Sequence, residues 1–193
     1  MMNLRMTARG GWAFELSDEE MELCEKMGRD RYRASRDGNF KNLREASEDA
    51  GDIDKQGAMG EMGVAKILNL YLDPTPGKDK GKDEDLVCID GLTIDAKATR
   101  KYWGPLPIPC RTRKENDIYV LVICSPDSPE VEVVGWIWGD DAMQDRYLSV
   151  SSRGSDEWHV PLGDLLPIEE LVRDENPSLY NRWKETMDEE TTD

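Results

Sequence analysis

Residues 85–99 read DLVCIDGLTIDAKAT and carry the strongest local signal in the chain. Two short strand-like runs, 85–89 and 92–99, flank Asp90-Gly91, a dipeptide typical of a β-hairpin turn. Apolar and polar residues alternate strictly along the second run, so one face of that strand is apolar and the other is polar. The polar face carries Thr93, Asp95, Lys97 and Thr99. Asp95 and Lys97 are therefore neighbours, either as a surface ion pair or as part of a site.

The length of the hairpin turn decides where Asp85 lies. A two-residue Asp90-Gly91 turn would pair Asp85 with Ala96, on the apolar face. A three-residue turn, residues 89–91, places the glycine at a left-handed bulge position and Asp85 opposite Asp95. This second register also pairs apolar with apolar residues, Leu86 with Ile94 and Cys88 with Leu92. We therefore predict the three-residue turn, with two carboxylates that repel each other unless a cation lies between them.

The segment before the hairpin, residues 57–72 (GAMGEMGVAKILNLYL), is predicted to be a helix that ends before Asp73-Pro74. One face of this helix carries Ala58, Glu61, Ala65, Leu68 and Leu72. That face is apolar except for Glu61. A carboxylate there either reaches water at the rim of the face or needs a partner, which could be a metal ion. The glycines of this segment favour close packing against a neighbouring backbone.

These three elements together resemble the PD-(D/E)xK nuclease superfamily, which includes restriction endonucleases, resolvases, repair nucleases and phage nucleases. The resemblance rests on Gly57-Ala58-Met59-Gly60-Glu61, then Asp85, then Ile94-Asp95-Ala96-Lys97. That order matches the family signature of a helix glutamate, an aspartate and an Asp/Glu-x-Lys on a strand. The proline that usually precedes the aspartate is replaced by Glu84, so Asp83 and Glu84 remain alternative ligands. The resemblance extends over residues 57–138.

The resemblance implies an α/β fold with a restriction-endonuclease-like core, a central mixed sheet of roughly four to five strands flanked by helices. The runs 118–124 and 131–138 are predicted to be two of these strands. The family usually places a crossover helix after the Asp-x-Lys strand. Prolines at positions 105, 107 and 109 predict an extended segment there instead.

The resemblance also implies the chemistry, with Glu61, Asp85, Asp95 and Lys97 as the catalytic residues. Asp85, Asp95 and the carbonyl of Ala96 would hold Mg²⁺, for which Mn²⁺ can substitute. Glu61 would hold a second ion or a metal-bound water, and Lys97 would orient the attacking water or stabilise the transition state. Contacts to flanking DNA phosphates are expected from Arg100, Lys101, Arg111, Arg113 and Lys114. Tyr102 and Trp103 could stack on a base, or serve as core or lid residues.

The 193 residues suit one domain. Four parts are expected: an N-terminal helical region (1–55), the catalytic core (56–138), a C-terminal helical cover (139–180) and an acidic tail (181–193). Ser17 and Glu20 form a capping-box pattern that opens a helix over 17–36. The acidic end, from Glu185 onward, is expected to fray.

Composition limits the choice of function and compartment. No run approaches the roughly 18 apolar residues of a membrane span, and the N-terminal residues lack the apolar core of a signal peptide. A cytoplasmic location follows, the host cytoplasm if the protein is viral. The cysteines at 24, 88, 110 and 124 lack zinc-site spacing and are expected to be buried thiols. His159 is expected to be structural.

The net charge of −16 opposes unspecific binding of nucleic acid, so the distribution of the basic residues matters. They concentrate in two strips, 26–44 and 97–114, which fit either a nucleic-acid track or ordinary solvated faces. The function expected is a metal-dependent DNA endonuclease of phage or restriction/repair type. A homodimer, an inactive DNA-binding module and an acidic DNA mimic stay open as alternatives, although a mimic has no use for an Asp-x-Lys site.

Overall fold

The computed structural model describes residues 2–37, 50–75, 85–110, 116–150 and 154–190. The helices in these ranges are α1 (Asp18–Asp37), α2 (Ala50–Leu68), α3 (Gly139–Ala142), α4 (Ile168–Glu175) and α5 (Pro177–Glu190). The strands are β1 (Arg5–Met6), β2 (Trp12–Glu15), β3 (Leu86–Val87), β4 (Thr93–Thr99), β5 (Leu106–Pro109), β6 (Ile118–Cys124), β7 (Glu130–Trp138), β8 (Leu148–Val150), β9 (Asp156–Val160) and β10 (Leu166–Pro167). The predicted mixed α/β class is therefore confirmed.

The main sheet has the strand order β1-β2-β7-β6-β4-β3, with β10 paired to β7. It is mixed as predicted, because β4 and β6 run parallel while the other pairs are antiparallel. The described residues form seven strands in this sheet, more than the four to five expected. The additional strands β1, β2 and β10 hold two to four residues each. Runs this short carry little periodicity, and the N-terminal region had been expected to be helical.

The two faces of the main sheet are covered differently. One face packs against α1, α2, α4 and α5 in a large apolar core. The other face packs against a second sheet of order β5-β9-β8 and against Ala142 of α3. In the described residues, helices therefore flank the sheet on one face, and a small sheet covers most of the other face. The prolines before and within β5 explain the difference, since they exclude a helix and allow a short strand.

The boundaries of α1 follow the predicted capping box. The N–H of Ser17 donates to Oε2 of Glu20 at 2.7 Å, and the N–H of Glu20 donates to Oγ of Ser17 at 3.3 Å. These bonds satisfy two N–H groups that a helix start leaves without intrahelical partners.

The boundaries of α2 differ from the prediction at both ends. The helix begins at Ala50 and ends at Leu68, where the prediction was 57–72. Asn69 has φ 57°, and the N–H of Leu70 donates to the carbonyl of Ala65 at 2.9 Å. A left-handed residue with such a bond is a common helix stop. Leu72 consequently lies beyond the helix and packs against the core from the following loop.

The predicted close packing of α2 is confirmed at two glycines. A Cβ on Gly60 would lie 2.9 Å from Cβ of Ala98 in β4, and one on Gly63 would lie 2.6 Å from Cγ1 of Val131 in β7. Helix α2 therefore rests directly on the sheet, and its rotation fixes where Glu61 can point.

The C-terminal part covers the other end of the same core. Nε1 of Trp136 donates to the carbonyl of Pro167 at 3.1 Å, just before α4. Trp183 of α5 contacts Trp12, with ring centroids 4.8 Å apart. The expectation of a frayed end from Glu185 was wrong as far as Glu190, where α5 ends. Among the described residues, no helix is both long and apolar enough to span a bilayer.

Candidate active site

The hairpin β3–β4 has the predicted three-residue turn. Leu86 pairs with Ile94, and the N–H of Cys88 donates to the carbonyl of Leu92 at 2.8 Å. Gly91 has φ 93°, a conformation that favours glycine. The alternative two-residue register is thereby excluded.

Asp85 lies where the β3–β4 ladder ends. Its N–H donates to the carbonyl of Ile94 at 2.9 Å, and its Oδ2 accepts from the N–H of Ala96 at 2.8 Å. Asp85 was predicted to stand directly opposite Asp95, but the paired residues of the hairpin end at Leu86. The carboxylate of Asp85 lies beside the peptide that joins Asp95 to Ala96.

Asp95 and Lys97 form an ion pair, with Nζ donating to Oδ2 at 2.6 Å. Asp95 is buried, and in the parallel pairing it lies next to Tyr119 of β6, on the face covered by the small sheet. Burial acts to lower the pKa of Lys97, but the charges of Asp95 and Asp85 outweigh it and raise that pKa above its ordinary value. Lys97 is consequently a protonated donor at neutral pH.

Glu61 is held by an arginine that the sequence analysis did not assign to the site. Nη1 and Nη2 of Arg31 donate to Oε1 and Oε2 of Glu61 at 2.6 and 2.5 Å. The pair is largely buried, with 29% of the arginine side chain and 8% of the glutamate side chain exposed. Of the two alternatives left open for Glu61, the structure shows the partnered one.

A local signal for Arg31 was present. Cys24, Met27 and Arg31 follow one another at helical spacing, and the first two are buried. Arg31 therefore continues the inward face of α1, while Lys26 and Arg29 make ion pairs on the surface with Asp30 and Glu25. For these residues the basic strip on α1 is a solvated face with one cation turned inward.

Asp85 connects the two ion pairs electrostatically. Its pKa is raised well above the ordinary value, first by burial and then by the charges of Glu61 and Asp95, while the N–H of Ala96 and the charge of Lys97 oppose the rise. Asp85 therefore lies within electrostatic range of the other three predicted residues, at the edge of β4 and beyond the end of β3.

They approach this edge from different sides. Helix α2, with Glu61, packs on the face of Ala98, whereas Asp95 and Lys97 alternate to the opposite face. Asp95 therefore lies on the face of β4 that is turned away from α2 and Glu61. Side chains alternate between the two faces of a strand, so Asp95 lies on the face opposite to Ala98, the residue that contacts α2.

The charges of this centre do not balance. When all three carboxyl groups are ionised, the described residues set three carboxylates, on Glu61, Asp85 and Asp95, against two cations, on Arg31 and Lys97. The excess is negative, and the acidic oxygens lie next to the backbone at Ala96. Carboxylate and carbonyl oxygens are hard ligands, so the donor set fits a divalent cation such as Mg²⁺.

The remaining predicted residues lie around or away from this centre. Arg100 and Lys101 are exposed, and Arg100 lies 3.8 Å from Asp52. Arg111, Arg113 and Lys114 are outside the described residues, as are the alternative ligands Asp83 and Glu84. His159 contacts Oγ of Ser149 at 3.0 Å and Oε2 of Glu157 at 3.1 Å on the small sheet. These contacts agree with a structural histidine.

Three of the cysteines are buried as predicted, while Cys110 is only half-buried. Burial raises the pKa of Cys24 and of Cys124 to about 12, so both remain thiols. Cys88 lies with Asp90 and Glu175 in a group whose potential ligand atoms are all within 4.8 Å of one another. This group is at the turn end of the hairpin and shares no residue with the Asp85 centre.

Fold and site together define a mixed α/β protein with a buried acidic centre at the edge of its main sheet. Residues 9–130 match the model of a family of unknown function (DUF5843), and the chain belongs to that family. The matched range contains Arg31, Glu61, Asp85, Asp95 and Lys97. No curated protein and no solved structure was found to match the chain.

Proposed function

We propose that this protein is a magnesium-dependent nuclease of the PD-(D/E)xK type that hydrolyses phosphodiester bonds in DNA. The observation that carries the proposal is the meeting of Glu61, Asp85, Asp95 and Lys97 at one sheet edge. These residues come from a helix, the end of a strand and a second strand, in the order that the superfamily signature requires. An acidic DNA mimic would need no such buried constellation.

The arrangement of elements supports a restriction-endonuclease-like core. Helix α2 precedes the hairpin β3–β4, and β4 is followed by the parallel strand β6 and the antiparallel strand β7. The connection from β4 to β6 contains β5, and this is the departure that the prolines predicted.

Asp85, Asp95 and the carbonyl of Ala96 would hold the Mg²⁺, or Mn²⁺ in its place. When bound there, the ion would polarise the scissile phosphate and lower the pKa of the attacking water. A cation at this position also opposes the burial and like charges that raise the pKa of Asp85. Ionised Asp85 and the bound cation therefore stabilise each other.

Lys97 would act as a donor rather than as a base. Its ion pair with Asp95 keeps it protonated and directs Nζ toward the carboxylates. From there it can donate to a phosphate oxygen, on which negative charge builds in the transition state, or orient the attacking water.

Glu61 would contribute through Arg31. Both its carboxylate oxygens accept from the guanidinium, so the pair places a fixed cation beside Asp85. Glu61 would bind a second metal ion, the role implied by the resemblance, only after exchanging this partner.

The test compares Lys97→Ala with a matched control, Lys66→Ala. Lys66 also forms a half-buried ion pair, with Nζ 2.6 Å from Oε2 of Glu20, and the two lysine side chains are 24% and 25% exposed. Supercoiled plasmid and single-stranded circular DNA are incubated with each purified protein in Mg²⁺ or in EDTA. We expect cleavage by the wild type and Lys66→Ala in Mg²⁺ alone, and a loss of at least about 100-fold for Lys97→Ala.

Two results would contradict the proposal. One is a wild-type protein that is folded, binds Mg²⁺ and cleaves neither DNA. The other is a folded Lys97→Ala variant that cleaves as fast as Lys66→Ala, which would remove Lys97 from the centre.

A further inference from the structure

Two adjacent aromatic rings stand in solvent on the loop of residues 100–105, called here the aromatic loop. Tyr102 is 55% exposed and Trp103 is 73% exposed. The loop turns back at Gly104, whose N–H donates to the carbonyl of Lys101 at 3.1 Å. Neighbouring large aromatic side chains gain free energy from burial, so a pair held outside the core points to a partner that covers them.

The aromatic loop packs against a buried ion pair. The guanidinium of Arg9 lies 4.0 Å from the ring centroid of Tyr102 and 5.1 Å from that of Trp103. Arg9 is itself bound by both carboxylate oxygens of Glu132, which also accepts from Oγ1 of Thr7 at 2.6 Å. The Arg9 and Glu132 side chains are only 8% and 4% exposed. The rings are therefore presented on a rigid support before any ligand arrives.

The loop continues directly from the proposed catalytic strand. Tyr102 follows Lys97 by five residues, so their Cα atoms lie at most about 18 Å apart. Roughly five stacked nucleotides of one strand cover that distance. A nucleic-acid strand that stacks on the aromatic loop can thus reach the centre without a conformational change in the protein.

The charges of the loop select an anionic ligand. Lys101 is exposed next to the rings, and Arg100 is exposed with Asp52 at 3.8 Å, whereas the buried Arg9 is neutralised by Glu132. The chain as a whole carries −16, which repels a polyanion at long range, and the exposed cations of the loop oppose that repulsion locally.

We propose that Tyr102 and Trp103 form a stacking site for the bases of an unpaired nucleic-acid strand that leads into the centre. Exposed aromatic rings with flanking cations suit unpaired bases, because each base offers a π-face that a duplex keeps inside its stack. The substrate is then single-stranded DNA, or duplex DNA with an unpaired end. The destination of the strand rests on the proposed nuclease function, whereas stacking on the loop is measurable without cleavage.

Binding is measured in EDTA, where no metal-dependent cleavage occurs, with a fluorescently labelled oligothymidylate of about 20 nucleotides and a duplex of equal length. The variants are Tyr102→Ala/Trp103→Ala and a matched control, Tyr71→Ala, which removes an aromatic ring that is 81% exposed elsewhere. We expect the double variant to bind the single strand at least about tenfold more weakly, in keeping with the loss of base stacking. Tyr71→Ala should bind as the wild type does, and the duplex should bind more weakly than the single strand.

A second measurement reports contact rather than affinity. A base stacked on Trp103 should quench its fluorescence, so the quench by oligothymidylate should be smaller in Trp103→Phe than in the wild type. Equal single-strand affinity of the wild type and the double variant, or a preference for the duplex, would overturn the stacking site. Quenching and tight binding without cleavage in Mg²⁺ would instead contradict the nuclease and leave the stacking site standing.

Discussion

At the residue scale, Asp85 decides the behaviour of the centre. It receives one backbone hydrogen bond, from Ala96, while burial and the charges of Glu61 and Asp95 all favour its protonated form. A carboxyl in this position binds a proton more tightly in the folded chain than in the unfolded chain. Its contribution to stability is therefore greatest below the ordinary aspartate pKa and is lost as the pH rises through the raised folded pKa.

Asp85→Asn should consequently stabilise the metal-free protein at neutral pH. The amide oxygen can still accept from the N–H of Ala96, but the uncompensated charge is gone. We expect a Tm higher by at least about 2 °C, which corresponds to roughly 1 kcal/mol in a chain of this size. Thermal melts in EDTA between pH 4 and pH 8 measure the difference from wild type, which should grow as the pH rises.

The same variant supplies its own control. Added Mg²⁺ should reverse the order by stabilising the wild type more than Asp85→Asn, since the ligand is lost. A variant that melts below the wild type in EDTA at every pH would show that the ionised carboxylate stabilises the fold, contrary to the raised pKa.

At the element scale, the packing of helix α2 against the sheet sets the position of Glu61. Gly60 precedes Glu61 and lies against Ala98, whereas Gly57, one turn earlier, faces only the tip of Arg31 at 3.9 Å. The two glycines have opposite consequences for an added methyl group although both are in the same helix.

Gly60→Ala should destabilise the protein by about 1–3 kcal/mol, the usual cost of overpacking a well-filled core. Gly57→Ala is the matched control and should stabilise by up to about 1 kcal/mol, because alanine is the better helix former. Urea unfolding curves give both free energies of unfolding. Equal effects of the two substitutions would mean that α2 does not rest on β4 as described.

The elements also mark the limit of what the sequence could predict. The hairpin register was predictable because the turn glycine and the alternation around it are local signals, and Leu86 does pair with Ile94. The Arg31–Glu61 pair joins two different helices, and helical spacing alone indicates that Arg31 faces inward without naming its partner. The two-residue strands β1 and β10 were not predicted, because runs this short carry no periodicity, and the small sheet was not predicted because its strands pair over long distances in the chain.

At the scale of the whole molecule, the net charge of −16 gives Mg²⁺ a second way to stabilise the fold, apart from any specific site. An acidic surface attracts Mg²⁺ without a site, so stabilisation by the ion has to be assigned to a position. Replacing one aspartate of the centre by asparagine, and separately one aspartate on the surface, distinguishes specific binding at the centre from unspecific attraction to the surface.

Asp95→Asn should remove most of the rise in Tm that Mg²⁺ produces, whereas Asp145→Asn, at an exposed position, should leave it intact. An ion present at ten times its Kd stabilises the folded state by about 1.4 kcal/mol, or roughly 3–6 °C here. Melts over a series of Mg²⁺ concentrations measure this rise. Equal rises in the two variants would assign the stabilisation to the surface and remove Asp95 from the ligand set.

The short length of β3 affects the tendency of the protein to self-associate. Among the described residues, no strand pairs with β4 on that side beyond Leu86, and the N–H of Ala96 is capped by the carboxylate of Asp85. An uncapped strand edge is a template on which another chain can add. Asp85 thus opposes self-association through this edge as well as belonging to the centre. Asp85→Ala would leave the strand edge open to pairing with a second chain, whereas Asp85→Asn would still cap it.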